Sequence, residues 1–344
     1  MFNFLKPKFN TGCLPDPVDS RDRIYDEVAA IGEPVDWEKG FDVEEELGVE
    51  TVFKNQDGSS SCVGQGWSYY IALLNALETG SYKDVSAKSI YSQIFIDSPS
   101  GGAYIRDGGK LIVNWGALFE GTLPSYDGGR PPKEAFMRDR SWKSSDMDRL
   151  AKILRGKEYR RIGGASDIDL YAMAIRDNYG TVGGVKGDNS NNSWRTFEPQ
   201  PPKSYKWGHC LFFGKFGVDK LGKYIATPNS WGSRGTDKLH PDGWQKLREN
   251  YFNTGNMFNA WTLLDKPNEQ ILSGTAERII KNYEKKIVME GEGKGRIGII
   301  INGKLSEVIA DRRSAASLYV MNNNGYGVTV KTSLFDELPD ANKF

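Results

Sequence analysis

The hydrophobic period of the chain changes part-way along, and this change limits the fold more than any single motif. From Ser60 onward Val63, Trp67, Tyr70, Ile71, Leu74 and Leu77 recur at three- and four-residue spacing, and Gly80 stands where a C-terminal cap belongs. The spacing predicts a buried amphipathic helix with Cys62 at its start. Further helical patterns follow at roughly 86–97, 104–115 and 146–155, before the break at Gly163-Gly164. Beyond about residue 165 strand signals take over: Gly180 to Val185, Cys210 to Phe216, Tyr224 to Thr227 and Phe258 to Leu264. Helices segregated from strands imply an α+β chain, with a helical lobe over about 36–165 and a sheet-rich lobe over about 166–266.

Three segments stand apart from these helix and strand patterns. Residues 1–35 carry Pro15, Pro17 and Pro34 among many charges and have no helical or strand period, so they read as an extended N-terminal arm. The polar run Asp188 to Ser193, followed by Pro199, Pro201 and Pro202, reads as a long surface loop leading into His209 and able to wall a cleft. Pro267 ends the second lobe. Residues 267–344 form a separate small α+β unit, with a charged helix near 275–289, a Gly-rich linker and a strand pair around Asn302-Gly303. No repeat suggests a solenoid.

Composition narrows the function classes. Lys+Arg and Asp+Glu both total 45, so nothing in the net charge draws the chain to nucleic acid or to an anionic membrane. No segment approaches the roughly 18 apolar residues of a membrane helix, and the first residues lack a signal-peptide core, so a cytoplasmic protein is expected. Cys13, Cys62 and Cys210 are few, odd in number and without a CxxC, which fits a reducing compartment without disulfides. With only His209 and His240 to add, no metal site is expected, and no cofactor is called for.

The chemistry-bearing residues are Cys62, His209, Asn229 and Gln56. A thiol at a helix N-terminus beside an imidazole can ionise, because the helix dipole and a protonated histidine both stabilise thiolate. An isolated cysteine is more often a small buried core residue, a lone strand histidine more often a hydrogen-bonded structural one, and Pro228-Asn229-Ser230 is by itself a good turn. Their combination carries more. His209 and Asn229 fall on successive predicted strands joined by the tight Gly217–Gly222 connection, so an amide oxygen can fix the imidazole's tautomer. Gln56, six residues before Cys62 in a Gly- and Ser-rich loop, can add an N–H to that of Cys62 for a developing oxyanion, although a solvent-exposed loop glutamine is the plainer reading.

These residues resemble the papain family of cysteine peptidases. The resemblance rests on Gln56 followed by Ser61-Cys62, on Gly208-His209, and on Asn229-Ser230-Trp231-Gly232, and it covers roughly residues 12–265. Leu14 to Pro17 with Arg21-Asp22, and Gly102 to Gly108, resemble segments of bacterial and phage members. The resemblance implies a papain-like two-lobe fold, with a helical lobe and a β-barrel-like lobe, acting on polypeptide substrates. It implies Cys62 as nucleophile, His209 as base, Asn229 as orienter and Gln56 as oxyanion donor. Trp231 would shield the His209–Asn229 hydrogen bond, and Gly101-Gly102 would offer backbone to an extended substrate strand. Val63 and Ser59 depart from the family, which often has tryptophan and a disulfide-forming cysteine there.

Other signals carry less. The Gly293 to Gly298 run precedes a strand and not a helix, so it is a linker and not a dinucleotide fingerprint. His240 reads as a solvent-facing loop residue, and Cys210, alternating away from His209, as core. The expected activity is that of a cysteine endopeptidase. Two alternatives stand beside it: a structural or binding component, for example of a phage particle, that keeps the fold with an occluded cleft, and an acyl transferase using the same residues. Residues 267–344, which peptidase chemistry does not need, are the expected attachment to a protein assembly partner, with virion association if the chain is phage-encoded. The N-terminal arm is expected to gate the cleft.

Overall fold

The computed structural model describes residues 12–29, 34–56, 58–98, 101–126, 132–188 and 193–264, together with four strands farther on. The helix anticipated from Ser60 runs Cys62–Thr79 and buries Val63, Trp67, Tyr70 and Leu74. Trp67 shows how it joins its neighbours: the indole is wholly buried, and its N–H donates to the carbonyl of Ile105 at 2.9 Å, where the helix Ile105–Asn114 begins. Ala87–Ile94 is capped by Ser86, whose hydroxyl accepts from the Ser89 N–H at 3.0 Å. Ser145–Ala151 is capped by Ser144 and tightens into a 3₁₀ turn at Lys152–Leu154. The helical patterns near 86, 104 and 146 thus mature into helices.

The second lobe is built on two four-stranded antiparallel sheets. One places Tyr159–Ile162, Met257–Leu263, Thr181–Gly187 and Trp207–Phe213 side by side; the other has Phe41–Asp42, Lys215–Asp219, Gly222–Thr227 and Gln245–Arg248. A core of Val185, Leu211, Phe213, Phe216, Ile225, Leu247 and Phe252 fills this lobe. Each such side chain contributes roughly 1.5–3 kcal/mol on burial, so the scaffold under His209 is firm.

The structure departs from the sequence reading in four places here. The run Cys210 to Phe216 is two strands, one in each sheet, broken at Gly214, where a Cβ would lie 2.8 Å from Val43 and from Phe212. His209 and Asn229 are therefore separated by an intervening strand, and Asn229 lies just past the end of Gly222–Thr227. A helix, Ile168–Asn178, interrupts the half expected to be strands; Asp167 caps it by accepting from Asp169 and Leu170 N–H groups. The short strands Tyr159–Ile162 and Gln245–Arg248 had no clear period to announce them.

The N-terminal stretch divides in two. Cys13–Leu14 pairs in parallel with Ala103–Tyr104. Farther on Ile24 bridges Arg161, and Tyr25, fully buried, joins the second lobe's core and donates to Asp177 at 2.9 Å. These later residues are part of the lobe, not of a detachable arm.

Contacts divide the chain into two compact units, 1–74 with 82–265, and 75–81 with 266–344. In the second, Lys304–Glu307, Ile297–Ile301, Ile287–Glu290 and Gly327–Val330 form one sheet in that order, the last pair parallel. The strand pair around Asn302-Gly303 is present, with Ile301 opposite Lys304. Of the helix anticipated near 275–289, positions 275–286 lie outside the described residues and 287–289 belong to a strand. Among the described residues no helix is long and apolar enough to cross a membrane.

Candidate active site

Cys62 begins its helix and is completely buried. Burial raises its thiol, and the backbone N–H groups of Cys210 in the facing lobe, of Gly12 in the N-terminal segment and of Val63 in its own helix act against that rise. The thiol therefore lies one residue along from His209, where the two lobes meet.

On the other side the imidazole's state follows from a relay of amides. The Gln245 side-chain NH₂ donates to the carbonyls of Thr196 at 2.6 Å and Trp194 at 3.3 Å, which turns its Oε1 toward Asn229. Asn229 Nδ2 donates to that oxygen at 2.6 Å, so Asn229 Oδ1 points the other way, 2.9 Å from His209 Nε2. An amide oxygen only accepts, so Nε2 carries the proton and Nδ1 keeps its lone pair. His209 Nδ1 is buried and has no hydrogen-bond partner among the described residues. Asn229 holds φ +57°, a left-handed conformation that asparagine tolerates better than most residues, and its Oδ1 also accepts from the Ser230 N–H at 2.6 Å. Trp231 stacks on the imidazole at 4.2 Å and 13°, and Trp194 meets it edge-on at 6.3 Å.

Gln56 is wholly buried, not solvent-exposed. Its backbone N–H donates to Ser230 O at 2.8 Å, and the Ser230 hydroxyl donates to its Oε1 at 2.6 Å. With the oxygen so held, its NH₂ faces the loop that leads to Cys62 and donates to Ser59 O at 3.2 Å.

The cleft between these groups is filled by the chain's own residues 12–16. Ala103 N–H donates to Gly12 O at 2.7 Å. Glycines line both walls: a Cβ on Gly102 would lie 2.5 Å from Gly12 O, and one on Gly208 would lie 2.3 Å from Cys13 O. Gly102 itself holds φ +98°, which disfavours any side chain there. The Gly101 N–H donates to Ser98 O at 3.0 Å and the Gly102 N–H to Tyr91 Oη at 3.0 Å, so the N–H that meets Gly12 O is that of Ala103. Asp16 ties the segment down: its carboxylate accepts from Trp261 Nε1 at 2.7 Å and Arg106 N at 3.2 Å, and its N–H donates to Asn259 at 2.9 Å. Burial raises the Asp16 pKa to about 6, against those hydrogen bonds.

Burial also sets the charge state of the pair. It pushes the Cys62 thiol well above its ordinary value, with Cys13 adding to the shift, and it lowers His209 to about 3, opposed by the Asn229 hydrogen bond and aided by Arg234. With the segment in place both groups are neutral at pH 7.

All four expected chemistry-bearing residues, and Trp231, are brought together. Three participants were missed: Gln245, Trp194, and the Gly12-Cys13 segment. A tryptophan within a polar loop was the one available signal. His240 corrects an expectation, since it is buried and not solvent-facing, stacked on Phe197 at 4.7 Å with Nδ1 3.0 Å from Asp237. Asp42, Glu44 and Asp242 form the one acidic cluster of metal-site dimensions among the described residues, and Lys215 Nζ lies 2.6–2.8 Å from all three. The Lys215 ammonium group already pairs with each of these carboxylates.

Several solved structures of cysteine proteases share this architecture. Xylellain from Xylella fastidiosa matches at TM-score 0.56 and 23% identity over 74% of this chain and 95% of that one. Digestive procathepsin L 3 of Tenebrio molitor matches at TM-score 0.54 and 17% identity over 74% of this chain and 76% of that one. The fold is papain-like. Bromelain from Ananas comosus, in complex with the E64 inhibitor, matches at TM-score 0.50 and 16% identity over 67% of this chain and 99% of that one. No protein-family model and no curated protein matches the chain.

Proposed function

We propose that the chain is a papain-like cysteine endopeptidase held latent by its residues 12–16. The observation that carries this reading is the fixed tautomer of His209: Nε2–H is bound to Asn229, and the Nδ1 lone pair is left over, one residue from the N–H that touches the Cys62 sulfur. Once the segment leaves, water reaches both groups. The thiol proton passes to Nδ1, and the resulting ion pair is stabilised by the start of the helix. Thiolate attack on a peptide carbonyl places negative charge on oxygen, which the Cys62 N–H and the Gln56 NH₂ stabilise. His209 then gives its Nδ1 proton to the leaving amine, and water, deprotonated by the same nitrogen, hydrolyses the thioester. Trp231 covers the Nε2–Asn229 hydrogen bond and keeps it dry.

The gate must be cut with care, because Tyr25 belongs to the core. A chain lacking residues 1–15 keeps Ile24 and Tyr25. Such a chain should cleave a broad peptide library, and its Cys62→Ala counterpart should not; equal cleavage by both overturns the nucleophile assignment.

A second reading is favoured by the filled cleft: a binding or structural component that keeps the fold permanently closed and attaches to an assembly, such as a phage particle, through residues 267–344. In that case the full-length chain would co-purify with a stoichiometric partner and resist labelling at Cys62 by a thiol-directed epoxide, and the chain lacking residues 1–15 would be labelled without cleaving peptides.

A further inference from the structure

Arg234, just past the Asn229-Ser230-Trp231-Gly232 run, is a cation without an anion. Its Nη2 donates to the Trp194 carbonyl at 3.1 Å, and among the described residues no carboxylate lies within ion-pair distance of it and no other hydrogen bond holds its guanidinium. Arg106, Arg176 and Arg248, also partly or largely buried, each reach at least one carboxylate. Arg234 is half-buried, and burial brings it down to about 10 with only Tyr69 opposing the shift, so it stays charged at neutral pH. Its position is fixed beside the imidazole. The Trp194 indole meets His209 edge-on at 6.3 Å and Trp231 at 5.9 Å, and Trp231 stacks on His209 at 4.2 Å. Gly232 N–H donates to Lys54 O at 2.9 Å and Gln56 N–H to Ser230 O at 2.8 Å, which stitches this stretch to the Gln56 loop. Residues 12–16 press instead on Gly102 and Gly208.

We propose that Arg234 binds a carboxylate of the polypeptide substrate, on the half that departs with the leaving amine, and so gives the site a preference for acidic peptides there. This rests on the reading of Cys62 and His209 as a peptidase pair. His209 gives its proton to the leaving amine, so that half of the substrate lies against the ring's own neighbours, Trp231, Trp194 and Arg234. An Asp or Glu side chain, or the chain terminus, supplies a planar two-oxygen acceptor of the kind a guanidinium fork matches. Docking it also removes an unopposed positive charge that works against protonation of His209, and thereby favours the thiolate–imidazolium pair. Holding the Trp194 carbonyl needs a single N–H donor, which a glutamine amide also supplies. The charge and the remaining N–H groups are what that structural duty leaves over.

The test uses the full chain and short peptides with a free amino end, as the leaving half would have: Ala-Glu amide, Ala-Gln amide, and Ala-Gln with a free carboxyl end. Binding is followed by NMR through the indole N–H signals of Trp194 and Trp231. In the wild-type chain Ala-Glu amide should bind about tenfold more tightly than Ala-Gln amide, and the preference should shrink with added salt. The ratio should fall to about one in Arg234→Gln and be partly kept in Arg234→Lys. Preference for the free carboxyl end over Ala-Glu amide would assign the site to the chain terminus, and preference for Ala-Glu amide to an internal acidic side chain. Equal binding of all three peptides, or an unchanged preference in Arg234→Gln, overturns the proposal. Cleavage of a peptide library supplies the second arm. Acidic residues should be enriched within the first few positions after the scissile bond for the wild-type chain and not for Arg234→Gln; enrichment before the bond overturns the assignment to the leaving half. Binding needs no turnover, so an intact Glu-over-Gln preference without any cleavage would tell against the peptidase reading while upholding Arg234 as the carboxylate site.

Discussion

His209 is held by side chains, through Asn229, Gln245 and the Trp231 stack, all from the β lobe; Cys62 is held by backbone, through its own helix start, the Cys210 N–H and Gly12 of the N-terminal segment. The first arrangement is indifferent to whether the cleft is filled. The second is not, because one of its three backbone N–H groups, that of Gly12, belongs to the occupant. Under the proposed latency the imidazole is prepared in advance, while the thiol's state is decided by residues 12–16. Expected outcomes divide along the same line.

The largest effect should come from His209→Ala in the chain lacking residues 1–15, with kcat falling on the order of 10⁴-fold, as removal of a base acting as a unit with its nucleophile implies. Residual turnover near wild type would mean that the imidazole is structural. Asn229→Ala should cost on the order of 10²-fold in kcat with little change in KM, since it frees the ring to flip and loses the Nε2 tautomer. A change in KM alone would place Asn229 in binding and not in orientation. On the thiol side, Gly208→Ala puts a methyl 2.3 Å from Cys13 O. Such overpacking costs about 1–3 kcal/mol, enough to raise Cys62 alkylation in the full-length chain roughly tenfold or more. The same substitution should leave the chain lacking residues 1–15 little affected; equal acceleration in both would locate the effect in the His209 strand.

Much of this was legible in the sequence. The Cys62 helix announced itself because its buried face repeats at helical spacing for its whole length. Asn229 and Gln56 were legible because their neighbours, Ser230-Trp231-Gly232 and the Ser-rich loop, are themselves distinctive. Gln245 was not legible: a glutamine on a short strand has no local pattern, and its role exists only because strand pairing sets it against Thr227, two residues before Asn229. The helix Ile168–Asn178 was hidden in a region judged by its flanking strands, although Asp167 and the Ile168, Tyr171, Ala172, Ile175 spacing were there to be read. The break at Gly214 was hidden because an apolar run reads as one strand whether or not it changes sheet. The closeness of Cys13 to Cys62 depends on a parallel pairing between residues some ninety positions apart, as Cys13 with Ala103, which no local rule anticipates.

The pH dependence of Cys62 alkylation by iodoacetamide, measured on the full chain and on the chain lacking residues 1–15, tests the central claim most directly. In the closed chain burial holds the thiol well above its ordinary value and His209 near 3, so alkylation should be slow through neutral pH and accelerate only in alkali. Removing the segment hydrates both groups, lowers the thiol and raises the imidazole, and the ion pair can then form. The shortened chain should react rapidly at neutral pH, losing rate only as the thiolate is protonated in acid. Superimposable profiles from the two chains would contradict the account.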